Sequence, residues 1–258
     1  MPAIYAHYRF GARMLEIMPG DIRRKVKRYR RLYDVGLHGP DIFFYYLSLG
    51  SKTGNLGSRI HQMTGKEFFG RVCRNLRLEP VPGAEAYLYG ALAHYALDSV
   101  CHPFVWEQDN IGTAKHIEIE TEFDRFLLET DGKIPPERQD LSKHLKLSRA
   151  ECGVVARFYP EATDKQIAVG LENMHLFTKA MAIGKGRDLL KKGLGLADKR
   201  FEGFVMTKEP NPKCSQLNRQ LMALYDSAEA RFGEMVTQLG AHMTYNAPLG
   251  EDFSEKFG

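Results

Sequence analysis

The chain has 258 residues, 43 per cent of them apolar and 26 per cent charged, with a formal charge of +4. That balance excludes a disordered chain and allows one large domain or two small ones. Cys73, Cys101, Cys152 and Cys214 lie far apart with no C-x-x-C pair, which argues against thiolate zinc and against a redox dithiol. The opening MPAIYAHYRFGARMLEIMPG lacks the signal-peptide pattern, and no run approaches the ~18 apolar residues of a membrane span. A cytoplasmic protein is expected, at most peripheral at a membrane.

In chain order the pattern reads as helix nearly throughout. A helix over Ile4–Met18 ends at Pro19 and Gly20. A second, Asp21–Tyr33, carries seven basic residues and one acid over residues 21 to 31. The plain reading of that run is a solvated face; the sharper one is contact with phosphates, anionic lipid or nucleic acid. Residues 36 to 41 read as a loop, and the apolar IFFYYLSLG as a helix start or buried turn-rich segment. The glycine-rich stretch 50 to 59 reads as a flexible loop that delivers His61. Helices follow at Lys66–Arg77, at Ala84–Val100 (closed by Pro103) and at Thr113–Thr130. Further helical patterns run over 146–158, 164–183 and 215–240; the basic stretch 184–200 reads as a helix end and loop. The expectation is an all-α fold of many helices in a single domain, 1–258.

Metal-ligand chemistry is concentrated between residues 94 and 120. His94, Asp98 and His102 stand at i, i+4 and i+8, so they form one stripe on a helix. His116 and Glu120 pair in the same way on the next helix. His7, Asp41 and His61 are further groups able to hold a divalent ion. A lone histidine is more often a packed residue, but this density of imidazole and carboxylate fits a cluster of ions better than one closed structural zinc. Iron, manganese and cobalt share those ligand preferences. His38, His144, His175 and His242 fall outside the pattern, with His38 near enough to Asp41 to support a ligand. Glu118, Glu122 and Asp124 read as a solvated face, with Asp124 placed to back up Glu120 by a hydrogen bond.

In order and type, Gly39-Pro40-Asp41, His61, His94-Tyr-Ala-Leu-Asp98, His102 and His116-Ile-Glu-Ile-Glu120 resemble the zinc-dependent phospholipase C family, whose all-helical fold is shared with P1-type nucleases. The resemblance implies two to three zinc ions. Asp41, His61 and His94 would hold one, with Asp98 bridging; His102, His116 and Glu120 would hold another; His7 would join Asp98 at a third. Family members complete that third site with an N-terminal Trp, whereas this sequence begins Met1-Pro2. The implied activity is phosphodiester hydrolysis of a glycerophospholipid to diacylglycerol and a phosphorylated headgroup, with Asp41 also orienting water or taking its proton. The aromatic run Phe43, Phe44, Tyr45 and Tyr46 could line a substrate cleft or the core. Ile42 stands where the family's choline pocket has an aromatic, so choline preference is not supported. The rival readings are a nuclease or nucleotidase on the same fold, and a non-catalytic metal-binding protein.

Overall fold

The computed structural model describes residues 3–46, 55–183 and 203–258. Ten α-helices are described: α1 (Ile4–Ile17), α2 (Gly20–Arg28), α3 (Arg30–Gly36), α4 (Leu56–His61), α5 (Gly65–Leu78), α6 (Ala84–Asn110), α7 (His116–Thr130), α8 (Arg149–Ala156), α9 (Asp164–Ala182) and α10 (Ser215–Tyr245). A 3-10 helix, Gly39–Tyr45, follows α3. Among the described residues the one β pairing is an isolated bridge between Thr64 and Lys256. The fold is all-α.

Three helix starts are written locally as reciprocal caps. Thr64 accepts from the Glu67 amide at 3.2 Å while Glu67 accepts from the Thr64 amide at 2.8 Å. Ser148 with Glu151, and Thr163 with Gln166, repeat the arrangement at α8 and α9. Each satisfies donors that the first turn leaves without an intrahelical partner.

Helix α6 is the axis of the fold. It is buried on every side from Leu88 to Ser99, which a helix enclosed by others requires. Helices α3 and α10 pack on it most extensively, joined by α1, α2 and α7. At the α3–α6 crossing two glycines face each other: a β-carbon on Gly36 would lie 2.6 Å from the Tyr87 carbonyl, and one on Gly90 would collide with the Tyr33 carbonyl. The backbones therefore touch, and the segment after α3 is delivered directly against the middle of α6.

Several boundaries differ from the sequence expectation. Pro103 does not close α6, which runs on to Asn110; a proline's missing N–H costs one bond, to the Ser99 carbonyl, and packing on both flanks outweighs it. The basic helix is broken at Tyr29, whose φ of −119° and ψ of 42° leave the helical region. The break turns the chain so that Leu32–Gly36 enter the core whole. His61 ends helix α4 rather than following a flexible loop. Helix α7 starts at His116, not Thr113, and α10 continues to Tyr245. The expected loop over 50–59 lies outside the described residues up to position 54, as does the basic stretch 184–200.

Candidate metal centre

Every ligand candidate is buried, and the fold brings all of them together. Three groups form whose ligand atoms lie within 4.8 Å of one another: His7 with Asp41 and His94; His61 with His94 and Asp98; His102 with His116 and Glu120. Helix α6 supplies the stripe His94, Asp98 and His102. Helix α1 brings His7, the 3-10 helix Asp41, α4 His61, and α7 His116 with Glu120.

Asp98 stands at the middle. Its Oδ1 is 3.2 Å from His7 Nε2; its Oδ2 is 3.1 Å from His94 Nε2, 3.6 Å from His102 Nδ1 and 3.8 Å from His61 Nε2. His61 Nε2 is also 3.2 Å from Asp41 Oδ1. In the other group Glu120 Oε1 lies 3.1 Å from His102 Nε2 and 3.2 Å from His116 Nε2.

Backbone carbonyls orient the imidazoles. His61 Nδ1 donates to the Gly57 carbonyl at 2.8 Å, and His94 Nδ1 to the Leu37 carbonyl at 3.2 Å. Each bond turns Nε2 into the cluster and fixes the tautomer with its lone pair there. Gly39 has a φ of +43°, and a β-carbon on it would come within 2.8 Å of the His94 ring. Glycine is thus required there both for the backbone conformation and for the approach of Asp41 to His94.

The electrostatics are those of imidazoles and carboxylates sharing one dry space. Burial would raise Asp98, but His102, His94 and His7 outweigh it and hold the carboxyl well below its ordinary range. Burial opposes the Glu120 carboxylate too, and His116 and His102 bring it down to about 2. Burial lowers His94, with Asp98 opposing, so that imidazole stays neutral. His102 is raised to about 9 against the effect of burial, because Asp98 and Glu120 favour its charged form.

The donor set fits zinc. It is imidazole nitrogen and carboxylate oxygen without thiolate. His7 Nδ1, His61 Nε2, His94 Nε2, His116 Nδ1 and Nε2, Asp98 Oδ2 and Glu120 Oε2 are buried without a hydrogen-bond partner. Buried polar atoms left so are costly, and most of these point at one another, which a cation between them would resolve.

Residues expected at the surface are buried around the candidate centre. Glu122 and Asp124 are buried, not a solvated face. Asp124 does not reach back to Glu120: it accepts from the Tyr5 and Ala6 amides at 3.0 and 2.8 Å, capping α1 from outside and setting the position of His7. Glu122 binds the buried Arg125, whose guanidinium also donates to the Thr207 and Lys208 carbonyls. His38 pairs with His144, Nε2 to Nε2, at 2.7 Å, and its ring lies edge-on to His7. His175 donates to the Ser142 carbonyl and His242 to the Ala247 carbonyl, outside the cluster as expected.

The C-terminal segment was not foreseen. The Phe257 ring is fully buried among Phe68, Phe69 and Tyr95. Its carbonyl lies 3.4 Å from His102 Nδ1, and the Gly258 amide donates to the His61 carbonyl at 3.2 Å. The sequence signal was faint: two phenylalanines, Phe253 and Phe257, in an otherwise polar end. Of the aromatic run, Phe43 and Tyr45 are buried, as is Ile42 before them, whereas Phe44 lies with its ring 5.3 Å from that of His61.

Fold and centre together define an all-helical protein whose clustered imidazoles and carboxylates suit zinc. The chain belongs to the zinc-dependent phospholipase C family, whose family model matches residues 6–161 and so spans every ligand candidate. Comparison with curated proteins and with solved structures gives no match.

Proposed function

We propose that the protein is a zinc-dependent phospholipase C-type phosphodiesterase, and that His7, Asp41, His61, His94, Asp98, His102, His116 and Glu120 hold two to three ions in one domain. The observation that carries this reading is the placing of Asp98, whose two oxygens face His7, His61, His94 and His102 from one point. A carboxylate so placed can be shared between neighbouring ions, and shared ions are the arrangement that serves phosphodiester hydrolysis.

When bound, zinc eases the loss of a proton from water and offsets charge building on the phosphoryl oxygens. The chain's own part is to hold the reactants. His61 and His94, each fixed through Nδ1, keep their Nε2 atoms turned inward. Asp41, 3.2 Å from His61, orients the attacking water and takes its proton. The water oxygen bonds to phosphorus as the bond to the glycerol oxygen breaks; the leaving oxygen takes up a proton, giving diacylglycerol and a phosphorylated headgroup.

Most of the basic run is ion-paired, which weakens its claim on lipid and nucleic-acid phosphates alike. Lys25 pairs with Glu85, Lys27 and Arg23 with Glu16, Arg30 with Asp34 and Arg31 with Glu151. The family match favours the lipid reading over the nuclease reading.

The test is metal analysis of the purified protein with assays on a short-chain phospholipid, single-stranded DNA and an acyl-free phosphodiester. Two or three zinc ions with zinc-dependent cleavage of the phospholipid is the expected result. Bound zinc without turnover of any substrate would leave a metal-binding protein, and preferred cleavage of DNA would make it a nuclease.

A further inference from the structure

A narrow cavity of about 70 Å3 lies among the start of α1, the 3-10 helix, α7 and α9. The elements that form its walls also carry ligand candidates. Ile4 precedes His7 by one helical turn, Tyr45 ends the 3-10 helix that holds Asp41, and Thr121 follows Glu120. Phe177, Met181, Ala182 and Met206 form an apolar part of its lining.

Two features give it a chemical preference. Tyr45 and Thr178 both line it, both are more than nine-tenths buried, and neither hydroxyl has a hydrogen-bond partner. Burial, with Asp41, Glu120 and Asp124 nearby, pushes the Tyr45 phenol far above its ordinary value, so it stays a donor. The ionisable residues at the wall are Asp124 and Glu137, burial pushes the Asp124 carboxyl up to about 7, and no lysine, arginine or histidine lines the cavity among the described residues. A phosphate or a free carboxylate would find no cationic partner there, while a neutral acceptor on an apolar chain would satisfy the hydroxyls.

We propose that this cavity binds the acyl-ester portion of a glycerolipid, the ester carbonyl accepting from Tyr45 and Thr178 and the hydrocarbon lying against Phe177 and Met181. The choice of lipid rests on the phospholipase reading above. The site places the uncharged, diacylglycerol side of the substrate beside the centre, on elements that position the centre itself.

Calorimetric titration of the zinc-loaded full chain with monomeric dihexanoylglycerol, which has no phosphorus to attack, tests the site without turnover. Binding is expected for the wild type. Tyr45→Phe and Thr178→Val should each weaken it about fivefold, the value of one hydrogen bond to a neutral acceptor. Ala182→Phe, which fills the cavity, should abolish it. Failure of the wild type to bind, unchanged binding in Ala182→Phe, or equal binding of hexanoate would overturn the assignment. Tyr45→Phe keeps the ring and remains readable should the bulkier variant not fold. Hydrolysis of an acyl-free phosphodiester, measured in parallel, separates the two readings. Cleavage without acylglycerol binding removes the cavity and keeps the phosphodiesterase; binding without cleavage does the reverse.

Discussion

At the residue scale, the centre depends on groups that bind no metal as much as on those proposed to. Asp98→Asn is expected to lower both zinc content and hydrolysis, since a neutral amide cannot stand between several imidazoles as a shared anion. Unchanged metal content and activity would remove Asp98 from the bridging role. Asp124→Ala leaves the Tyr5 and Ala6 amides without their acceptor. The expected cost is about 2 kcal/mol of stability, together with weakened zinc retention because His7 moves with α1. A melt equal to that of the wild type would show that water replaces the carboxylate. His102 gives a pH signature: zinc binds neutral imidazole, and this one holds its proton up to about 9 in the metal-free protein. Zinc uptake at pH 7.5 should therefore release protons, seen as a titration heat that varies with the ionisation enthalpy of the buffer. A buffer-independent heat would count against it.

At the scale of elements, the C-terminal segment acts as a clasp. It ties α4 to α6 through Phe257 and Gly258, and the Tyr95 hydroxyl donates to the Glu255 carbonyl at 2.9 Å. Phe257→Ala is expected to cost roughly 4 kcal/mol, as emptying a closely packed aromatic site does. The effect should reach the second ligand group, which the chain's single tryptophan can report: the Trp106 ring lies 4.4 Å from that of His116. A shift in its emission on zinc binding, lost in the variant, is the expected readout; identical titrations would show that the clasp serves stability alone. The His38–His144 contact joins the chain after α3 to the segment after α7. Burial, aided by Arg30, holds His144 at about 4, below its ordinary 6.5. The folded state then binds fewer protons than the unfolded one between those values, so its contribution is present above 6.5 and lost as pH falls towards 4. A His144→Phe variant should flatten the acid limb of thermal stability in that window.

At the scale of the molecule, α6 serves as both core and scaffold: its flanks bury the apolar mass, and one stripe carries three ligand candidates. A metal held there would couple to the fold, and a chelator is expected to lower the melting temperature, with zinc restoring it. The surface has a different task. Most of the basic run is engaged in exposed ion pairs, each worth little and screened by salt. Neutralising Arg23, Arg24, Lys25 and Lys27 should leave binding to anionic vesicles unchanged. A marked loss would assign that face to the membrane. Among the described residues no helix is long and apolar enough to cross a bilayer.

The all-α class and the candidate ligands were legible in the chain because both rest on short-range periodicity. Four residues make about one helical turn, so His94, Asp98 and His102 had to share a face, as did His116 and Glu120. The reach of His7, Asp41 and His61 to that face was suggested by order and type, but it is achieved by long-range contacts: the glycine crossing of α3 and α6, the Asp124 cap on α1, the helix that ends at His61. The same limit explains what was misread. Pro103 and Asp124 were judged by their own neighbours in sequence, whereas packing around α6 and the open first turn of α1 decided what they do. Tertiary structure alone placed Phe257 and Gly258 against His102 and His61, and opened a cavity on elements that also carry ligand candidates, because both join residues whose separation along the chain leaves no pattern to read.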